Sequence, residues 1–283
     1  MLTPSDIRLI AFDLDGTLLT EEKKLTPRTR DILERLSAQG ILLMTTTGRA
    51  LAGIPDDVKA LSGAKYALTS NGAGVYHRKD DGSYELVLEN LMNHERAIEL
   101  IGELSAFEVM PDPFIDGACY MLKEKAYLID KMDVSDAMKD YIRMSRTQVA
   151  DMKTFLQDKQ VQKITINFAV GEDGHRIDLE PVWRVLKRYP EFVAVTGGIQ
   201  NIEISDTKAT KGDAMMALAG QLGIRAEQIL AFGDSENDNT MLQMAGTGVA
   251  MANALDITKE VADEITLSNE EDGVAVWLEN HFS

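Results

Sequence analysis

The sequence is poor in the residues that most often carry redox, thiolate and imidazole chemistry. Its 283 residues include one cysteine, Cys119, and four histidines, His77, His94, His175 and His281. A single cysteine excludes an intrachain disulfide, and histidines so far apart do not have the spacing of a metal-binding motif. We therefore expect Cys119 to be a buried or half-buried spectator and each histidine to be a surface or packing residue.

Basic residues and long apolar runs are also scarce. The chain has 29 Lys and Arg against 46 Asp and Glu, a formal net charge of −17. Such a charge argues against binding to a nucleic-acid backbone or an anionic membrane, and it would repel a phosphorylated ligand unless local cations oppose it. The polar start, Met1 to Arg8, precedes an apolar run too short for a signal core or a membrane span. We expect a cytoplasmic protein.

The first apolar run, Leu9 to Phe12, predicts a buried parallel strand that ends in Asp13-Leu14-Asp15-Gly16-Thr17. Ligands of open parallel sheets bind outside the carboxyl ends of the strands. Asp13 and Asp15 are two residues apart and so share a side of this strand end. One such carboxylate can attack phosphorus while the other moves a proton, and a magnesium ion can lower their repulsion. A simple metal site and a solvated turn are the alternatives at this point.

Later strands and one helix deliver further polar, glycine-bearing loops. The run Ile41 to Met44 leads into Thr45-Thr46-Thr47-Gly48-Arg49, and Tyr66 to Thr69 leads into Ser70-Asn71-Gly72. Lys211-Gly212 opens a helix, and Ile229 to Phe232 ends in Gly233-Asp234-Ser235-Glu236-Asn237-Asp238. Taken alone, Lys211 would be read as a solvated lysine at a helix start, and Arg49 equally well as a structural ion pair. Together these loops predict one site at the edge of a parallel sheet.

The pattern changes in the middle of the chain. A hairpin with a turn at Asp80-Asp81-Gly82 is followed by helical runs at 94–104, 125–141 and 177–187 and by strands at 118–122 and 163–170. No dense cluster of catalytic residue types appears there. We interpret residues 86–200 as an inserted α+β domain and residues 1–85 and 201–283 as the α/β domain that carries the motifs.

The ordered series Asp13-x-Asp15, Thr47-Gly48-Arg49, Lys211-Gly212 and Gly233-Asp234-x-x-Asn237-Asp238 resembles the four motifs of the haloacid dehalogenase-like (HAD) superfamily. Because the insert lies between the second and third motifs, the chain resembles the Cof-type phosphatases, which have a large cap. This resemblance implies a HAD-like Rossmannoid three-layer parallel-sheet core with an inserted α+β cap domain. It also implies Mg²⁺-dependent hydrolysis of small phosphate monoesters, mostly sugar phosphates and related metabolites, through an aspartyl-phosphate intermediate.

Carried over by motif position, the resemblance assigns a role to each residue. Asp13 is the nucleophile, and Asp15 is the acid that protonates the leaving group and later activates water. To hold that proton Asp15 needs a raised pKa, which a neighbouring ionised carboxylate and a closing cap would favour. Magnesium ligands are the Asp13 carboxylate, the Asp15 backbone carbonyl and Asp234. Phosphate contacts come from the Leu14 amide, Thr47, Gly48, Lys211 and Asn237, with Thr47 and Lys211 also counted as catalytic. Arg49 and Asn71 face the rest of the substrate or the cap, and Asp238 holds Lys211 or a metal-bound water.

One departure from the family pattern leaves a register open. Thr45 and Thr46 precede Thr47, where an alanine or apolar residue is usual, and we choose Thr47 because Gly48 and Arg49 follow it directly. The expected partner is a small phosphorylated metabolite, and the expected assembly is a monomer or small homo-oligomer. The alternatives are a HAD-type phosphomutase, a pyridoxal phosphate or flavin mononucleotide phosphatase, and a non-catalytic phosphate-binding protein, which would be expected to lack Asp13 or Asp15.

Overall fold

The computed structural model describes residues 7–196 and 201–282. Within these residues the strands, in chain order, are β1 (Leu9–Phe12), β2 (Leu42–Thr46), β3 (Ala64–Thr69), β4 (Gly74–Arg78), β5 (Tyr84–Glu89), β6 (Val109–Ile115), β7 (Ala118–Leu122), β8 (Arg146–Val149), β9 (Lys163–Phe168), β10 (Phe192–Thr196), β11 (Ile202–Asp206), β12 (Ile229–Gly233), β13 (Thr247–Ala250) and β14 (Glu264–Ile265).

The helices of the described residues are interspersed with these strands. They are α1 (Pro27–Ala38), α2 (Asp56–Lys59), α3 (His94–Leu104), α4 (Asp136–Ser145), α5 (Met152–Phe155), α6 (Leu179–Leu186), α7 (Lys211–Gln221), α8 (Asn239–Met244), α9 (Asp256–Val261) and α10 (Gly273–His281). No helix among the described residues has both the length and the apolar character needed to cross a membrane.

The chain divides into two compact units. The first unit comprises residues 1–49, 54–89 and 209–283, and the second comprises residues 50–53 and 90–208. The inserted domain was expected to run from 86 to 200, so the main segment of the second unit, 90–208, begins four residues later and ends eight residues later. Residue 200, the expected end of the insert, and the first six residues of the polar start lie outside the described part of the chain.

The first unit contains an eight-stranded sheet in the order β14-β13-β12-β1-β2-β3-β4-β5. Strands β1, β2, β3, β12, β13 and β14 pair in parallel, and β4 and β5 add an antiparallel hairpin at one edge. All four residues of β1 are buried, as expected of a strand covered on both faces. Because parallel strands end at the same edge, the loops after β1, β2, β3 and β12 are brought together there.

Helices cover both faces of this sheet. On one face, Leu9 and Ala11 of β1 pack with Ala214, Met215 and Leu218 of α7. On the other face, Phe232 of β12 meets Trp277 of α10 edge to face, with ring centroids 5.6 Å apart, and α10 packs against α1. Thr26 caps α1 through a hydrogen bond from the Thr29 amide, and Pro27 follows at the first position of the helix. The expected three-layer α/β core is therefore confirmed.

The second unit contains a six-stranded sheet in the order β10-β11-β9-β6-β7-β8. Its neighbours pair antiparallel except β7 and β8, which are parallel, and the chain order of its elements is that of an α+β domain. Strand β11 was assigned to the core by its sequence position, but it pairs with β9 and β10 and so lies in this sheet. Cys119 is buried in β7, as expected.

One element of the second unit differs from its sequence pattern. The helix expected over residues 125–141 consists of a 3₁₀ segment, Lys123–Lys131, followed by α4. The break occurs because Ser135 is extended and caps α4 with a hydrogen bond from the Met138 amide. Serine competes with the helical backbone for such bonds, which makes it a good start and a poor interior residue.

Candidate active site

Asp13 stands at the carboxyl end of β1, where the chain makes a tight turn. Its amide donates to the Phe232 carbonyl at 3.1 Å, which extends the β1–β12 pairing to the first residue of the loop. Gly16 follows with φ +87°, and a Cβ on it would come within 2.5 Å of Oδ2 of Asp234. Glycine is required here both by its backbone conformation and by the closeness of Asp234. The turn therefore brings the carboxylates of β1 and β12 side by side.

Lys211 is the cation of the site. It is the first residue of α7, its side chain is fully buried, and its Nζ lies 2.6 Å from Oδ1 of Asp13 and 2.6 Å from Oδ1 of Asp238. Burial alone would lower the pKa of Lys211, but the two facing carboxylates outweigh it and raise the pKa above the usual lysine range. Lys211 is therefore a fixed positive charge beside Asp13.

Asp238 is fully buried, and both of its oxygens are engaged. Oδ1 accepts from Lys211, while Oδ2 accepts from the amides of Asp234 and Ser235 at 3.0 Å each. A Cβ on Gly233 would lie 2.5 Å from the Cβ of Asp238, so the loop can fold back only over a glycine. Asp238 thus holds Lys211 and shapes the loop that presents Asp234.

Asp234 and Asp13 form the electronegative part of the site. Oδ1 of Asp234 accepts a hydrogen bond from Thr17 at 2.8 Å. Burial, followed by the charge of Asp238, raises the pKa of Asp234 to about 7. Burial also raises the pKa of Asp13 well above its usual value, although Lys211 opposes this. Crowded carboxylates of this kind are stabilised by a further cation.

The donor set fits a hard divalent metal ion. Oxygen atoms of Asp13, Asp234 and Asp238 lie within 4.8 Å of one another. Magnesium prefers carboxylate and carbonyl oxygens and keeps several of its waters, so it needs few protein ligands. Since the oxygens of Asp238 already accept hydrogen bonds from Lys211 and two amides, Asp13 and Asp234 are the better ligands of the three.

Asp15 is held differently from Asp13. Arg49 donates to both of its oxygens, from Nε at 2.7 Å and from a terminal nitrogen at 2.6 Å, and Lys23 lies 2.8 Å from Oδ1. Burial would raise the pKa of Asp15, but the hydrogen bonds and charge of Arg49, together with the charge of Lys23, lower it below the usual range. The sequence-based expectation of a raised pKa is therefore wrong for this arrangement, because Arg49 and Lys23 face the carboxylate.

The loop after β2 orders Thr47, Arg49 and Asn71. Thr47 is buried; its amide donates to the Leu68 carbonyl, its hydroxyl accepts from the Arg49 amide at 3.1 Å, and its carbonyl accepts from the Asn71 amide at 3.1 Å. Thr46 instead donates to the sulfur of Met241, at 3.2 Å, in the helix layer. This alternation places Thr45 and Thr47 on one side of the strand and Thr46 on the other.

Asn71 and Asn237 meet across the end of the sheet. The side-chain Nδ2 of Asn237 donates to Oδ1 of Asn71 at 3.1 Å, and the Ser235 hydroxyl donates to Oδ1 of Asn237 at 2.9 Å. Asn71 has φ +61°, and Gly72, at φ +105°, would place a Cβ 2.3 Å from the Thr210 carbonyl just before Lys211. The loop after β3 therefore packs tightly on the start of α7.

The two remaining backbone candidates lie within these loops. Leu14 has a buried side chain and its carbonyl accepts from the Leu19 amide at 2.9 Å, while Gly48 is half-buried between Thr47 and Arg49. Three further residues of the site had no role predicted from the sequence: Thr17, which contacts Asp234; Lys23, which pairs with Asp15; and Asn253, whose side-chain Nδ2 donates to the Gly16 carbonyl at 2.8 Å. Thr17 lies inside the first motif and could have been found there; Lys23 and Asn253 carry no such signal.

Comparisons with known proteins agree with this geometry. The model of the haloacid dehalogenase-like hydrolases matches residues 10–278. The 5-amino-6-(5-phospho-D-ribitylamino)uracil phosphatase YwtE of Bacillus subtilis is 31% identical over 98% of this chain and 99% of its own length. The pyridoxal phosphate phosphatase YbhA of Escherichia coli is 30% identical over 97% of this chain and 98% of its own length.

A solved structure of the same family has the same fold. A haloacid dehalogenase-like hydrolase from B. subtilis superposes with a TM-score of 0.81 at 27% identity, covering 96% of this chain and 99% of that one. The family match spans nearly all of the chain, and the relatives are phosphatases aligned over their full lengths. The chain belongs to the haloacid dehalogenase-like hydrolases and is a phosphatase of the Cof type.

Proposed function

We propose that this phosphatase is Mg²⁺-dependent and hydrolyses small phosphate monoesters through an aspartyl-phosphate intermediate on Asp13. The observation that carries the proposal is the buried Lys211, bonded at 2.6 Å to Oδ1 of Asp13 and to Asp238. Lys211 fixes the rotamer of Asp13 and leaves Oδ2 as the attacking oxygen. It also supplies the local positive charge that a chain of net charge −17 needs to hold a phosphoryl group.

The chemistry then divides into two displacements at phosphorus. In the first, Oδ2 of Asp13 bonds to phosphorus, the ester P–O bond breaks, and Asp15 gives a proton to the leaving alkoxide. In the second, Asp15 takes a proton from a water as that water attacks phosphorus, which releases inorganic phosphate and restores the Asp13 carboxylate. Because Asp15 is paired with Arg49 and Lys23, substrate must weaken that pairing before Asp15 can hold a proton.

Other residues bind and orient the phosphoryl group. Thr47, the Gly48 amide and the Leu14 amide are the proposed donors to its oxygens, together with Asn237 and Lys211. A magnesium ion held by Asp13, the Asp15 carbonyl and Asp234 would neutralise charge on the phosphoryl oxygens. Arg49 and Asn71 are the proposed contacts to the remainder of the substrate, and the second unit is proposed to be the cap domain.

The substrate class is proposed to be sugar phosphates or chemically related phosphorylated metabolites. The relatives act on a ribitylamino-uracil phosphate and on pyridoxal phosphate. A cofactor phosphatase, active on pyridoxal phosphate or flavin mononucleotide, is therefore the second candidate. A phosphomutase would use the same Asp13 and Asp15 and is distinguished by its need for a bisphosphate activator. A cytoplasmic location and a monomeric or small homo-oligomeric state stay predictions from the sequence.

The test is phosphate release from a panel of sugar phosphates, nucleotides, pyridoxal phosphate, flavin mononucleotide and p-nitrophenyl phosphate. The wild type is compared with Asp13→Asn, which keeps the shape of the side chain and removes its nucleophilic charge. We expect turnover with Mg²⁺, loss of turnover in EDTA with recovery on re-addition of Mg²⁺, and a loss of at least about a thousandfold in Asp13→Asn. The best substrate defines the preference.

Asp256→Asn is the matched control, because Asp256 is an exposed aspartate in the first turn of α9. It makes the same chemical change away from Lys211 and should retain full activity. Absence of phosphate release from every compound would overturn the phosphatase chemistry proposed here. Release that is unaffected by EDTA would remove magnesium from the proposal, and turnover that requires a sugar bisphosphate would favour the mutase.

A further inference from the structure

The second unit contains a cavity of about 480 Å³, a volume in the range of small-molecule sites. It is formed by the end of β9, the residues after the 3₁₀ segment, the loop 174–178 and the start of α6. Its apolar walls are Met132, Val134, Phe168, Val170, Leu179 and Pro181. None of the residues assigned above to phosphate, metal or proton transfer lines this cavity.

Two buried asparagines line it. Asn167 is fully buried and Asn201 is 8% exposed, and the Oδ1 atom of each has no hydrogen-bond partner among the described residues. An unpaired buried amide oxygen costs free energy, and a ligand that donates a hydrogen bond removes that cost. Two residues of the cavity lining therefore carry acceptor atoms that the described part of the protein leaves unused.

The orientation of Asn167 is fixed by its neighbours. Its Nδ2 donates to Oδ2 of Asp112 at 3.0 Å, and Nε of Arg146 lies 3.5 Å from the same oxygen. Asp112 is fully buried on β6, next to β9, and its Oδ2 is the acceptor for Asn167. This hydrogen bond directs the nitrogen of Asn167 to Asp112 and leaves the side-chain oxygen of Asn167 without a partner among the described residues.

The charges around the cavity exclude an anionic ligand. Its acidic lining residues are Asp133, Asp178 and Glu180, and its basic lining residues are Arg176 and His175. Asp178 also accepts from the Glu108 amide at 2.9 Å, which holds its carboxylate in place. Three carboxylates against one guanidinium and one imidazole leave the lining net negative, so it would repel a phosphate. A neutral ligand with hydroxyl donors and an apolar face meets both the walls and the acceptors.

We propose that this cavity binds a neutral sugar or polyol, with two of its hydroxyls donating to Oδ1 of Asn167 and Oδ1 of Asn201. The C–H face of such a molecule packs on the apolar walls, where Phe168 supplies an aromatic ring. The ligand is a free polyol, because the net negative lining would repel a phosphorylated one.

The test is titration calorimetry of the full chain with ribitol, sorbitol and glucose. Asn201→Ala removes one acceptor and should weaken binding about tenfold, the size expected for the loss of one hydrogen bond to a buried group. Asn201→Asp retains an acceptor oxygen and should retain binding. Asn167→Leu, of similar volume, should weaken binding as well, and thermal unfolding checks that each variant is folded.

Thr165→Val is the matched control. Thr165 lies on the same strand and the same side as Asn167, is buried, and has an unpaired hydroxyl, but it does not line the cavity. This nearly isosteric change should leave polyol binding unaltered. If Thr165→Val and Asn201→Ala lower binding equally, the effect is not specific to the cavity and the proposal is overturned.

A kinetic arm separates this site from turnover. Asn201→Ala should leave the KM for glucose 6-phosphate and the KM for p-nitrophenyl phosphate unchanged, because no residue assigned to phosphate, metal or proton transfer lines the cavity. Absence of polyol binding overturns the proposal, and a raised KM for glucose 6-phosphate would contradict the assignment to a free polyol. The calorimetric arm requires no turnover, so failure of the phosphatase chemistry and failure of this site are distinguishable.

Discussion

Each unit of the molecule buries a lysine, and the two lysines differ in what surrounds them. Lys211 of the first unit lies 2.6 Å from two carboxylates, Asp13 and Asp238. Lys163 of the second unit is 1% exposed, lies 2.8 Å from Glu203 and sits over the ring of Phe114 at 4.7 Å. Both satisfy the rule that a buried charge must be paired. Only the first lies among loops at the carboxyl ends of parallel strands, so burial of a charged pair does not by itself identify a catalytic site.

Two buried aspartates, one in each unit, repeat this contrast. Asp13 shares its surroundings with other carboxylates and with a lysine, and it accepts from that lysine. Asp112 lies beside Arg146 and Asn167, and burial raises its pKa to about 7. In the first unit the buried Asp13 belongs to the proposed catalytic site, whereas in the second unit the buried Asp112 fixes the orientation of the Asn167 side chain. The predictions below separate these two uses.

The largest difference is expected between Lys211→Met and Lys163→Met. Removing Lys211 leaves two buried carboxylates without their cation, so turnover of p-nitrophenyl phosphate should fall by at least about a thousandfold. The free energy of unfolding should fall by about 3 kcal/mol. Lys163→Met should cost about 1 to 2 kcal/mol, because Glu203 is partly exposed, and should leave turnover within about twofold. Urea unfolding and steady-state kinetics measure both effects; equal turnover losses would contradict the contrast.

Glycine substitutions offer a second comparison, within the first unit. Gly16→Ala places a methyl group 2.5 Å from Oδ2 of Asp234 at φ +87°, whereas Gly82→Ala, at φ +83° in the hairpin turn, meets nothing within 4 Å. Each substitution should lower the free energy of unfolding by about 1 kcal/mol through backbone strain at positive φ. Only Gly16→Ala displaces Asp234, so it should lower turnover and weaken Mg²⁺ activation by at least about tenfold. A Gly82→Ala enzyme with the same loss would show that backbone strain alone is responsible.

The smallest effect is a pH dependence of stability from Asp112. Its pKa of about 7 exceeds the ordinary value of 3.8, so between about pH 4 and pH 7 the native state holds a proton that the unfolded chain has lost. The stabilisation is complete below this window and disappears as the pH rises through it. The free energy of unfolding of the wild type should therefore fall toward neutral pH by a few kcal/mol more than that of Asp112→Asn.

Urea unfolding at about pH 5 and about pH 8 measures this difference between the two proteins. Asp15 should behave in the opposite sense, because Arg49 and Lys23 lower its pKa. Its contribution is present above the ordinary aspartate pKa and is lost as the pH falls through the lowered value. Parallel pH profiles for wild type and Asp112→Asn would show that the Asp112 carboxyl is not perturbed.

The sequence predicts the first unit better than the second, because the important contacts of the second unit join residues that are far apart in the sequence. The site residues of the first unit sit in short loops directly after apolar strands, so strand ends and turn glycines mark Asp13, Thr47, Asn71 and Asp234. The pairing of Asp15 with Arg49 and Lys23 reverses the expected pKa, because the sequence does not say which cation reaches which carboxylate. In the second unit, Asp112 and Asn167 are 55 residues apart and meet only through the pairing of β6 with β9.

Two elements, β11 and the helix expected over 125–141, differ from their sequence-based predictions for physical reasons. Strand β11 lies next to the start of α7 in sequence, but its hydrogen bonds are with β9 and β10. Sequence proximity to Lys211 therefore placed it with the wrong sheet. The helix expected over 125–141 fails locally, because Ser135 starts a new helix instead of continuing one. A helical periodicity does not reveal that interruption, whereas the serine does when it is read as a cap.

The most direct measurement of the central claim is to trap the phosphoryl group on the enzyme. The wild type is mixed with the best substrate of the panel, quenched in acid and treated with borohydride, which reduces an aspartyl phosphate to homoserine. Peptide mass spectrometry then identifies the modified position. The account predicts homoserine at position 13 in the wild type and none in Asp13→Asn. Modification at another residue, or none during active turnover, would contradict a nucleophilic role for Asp13.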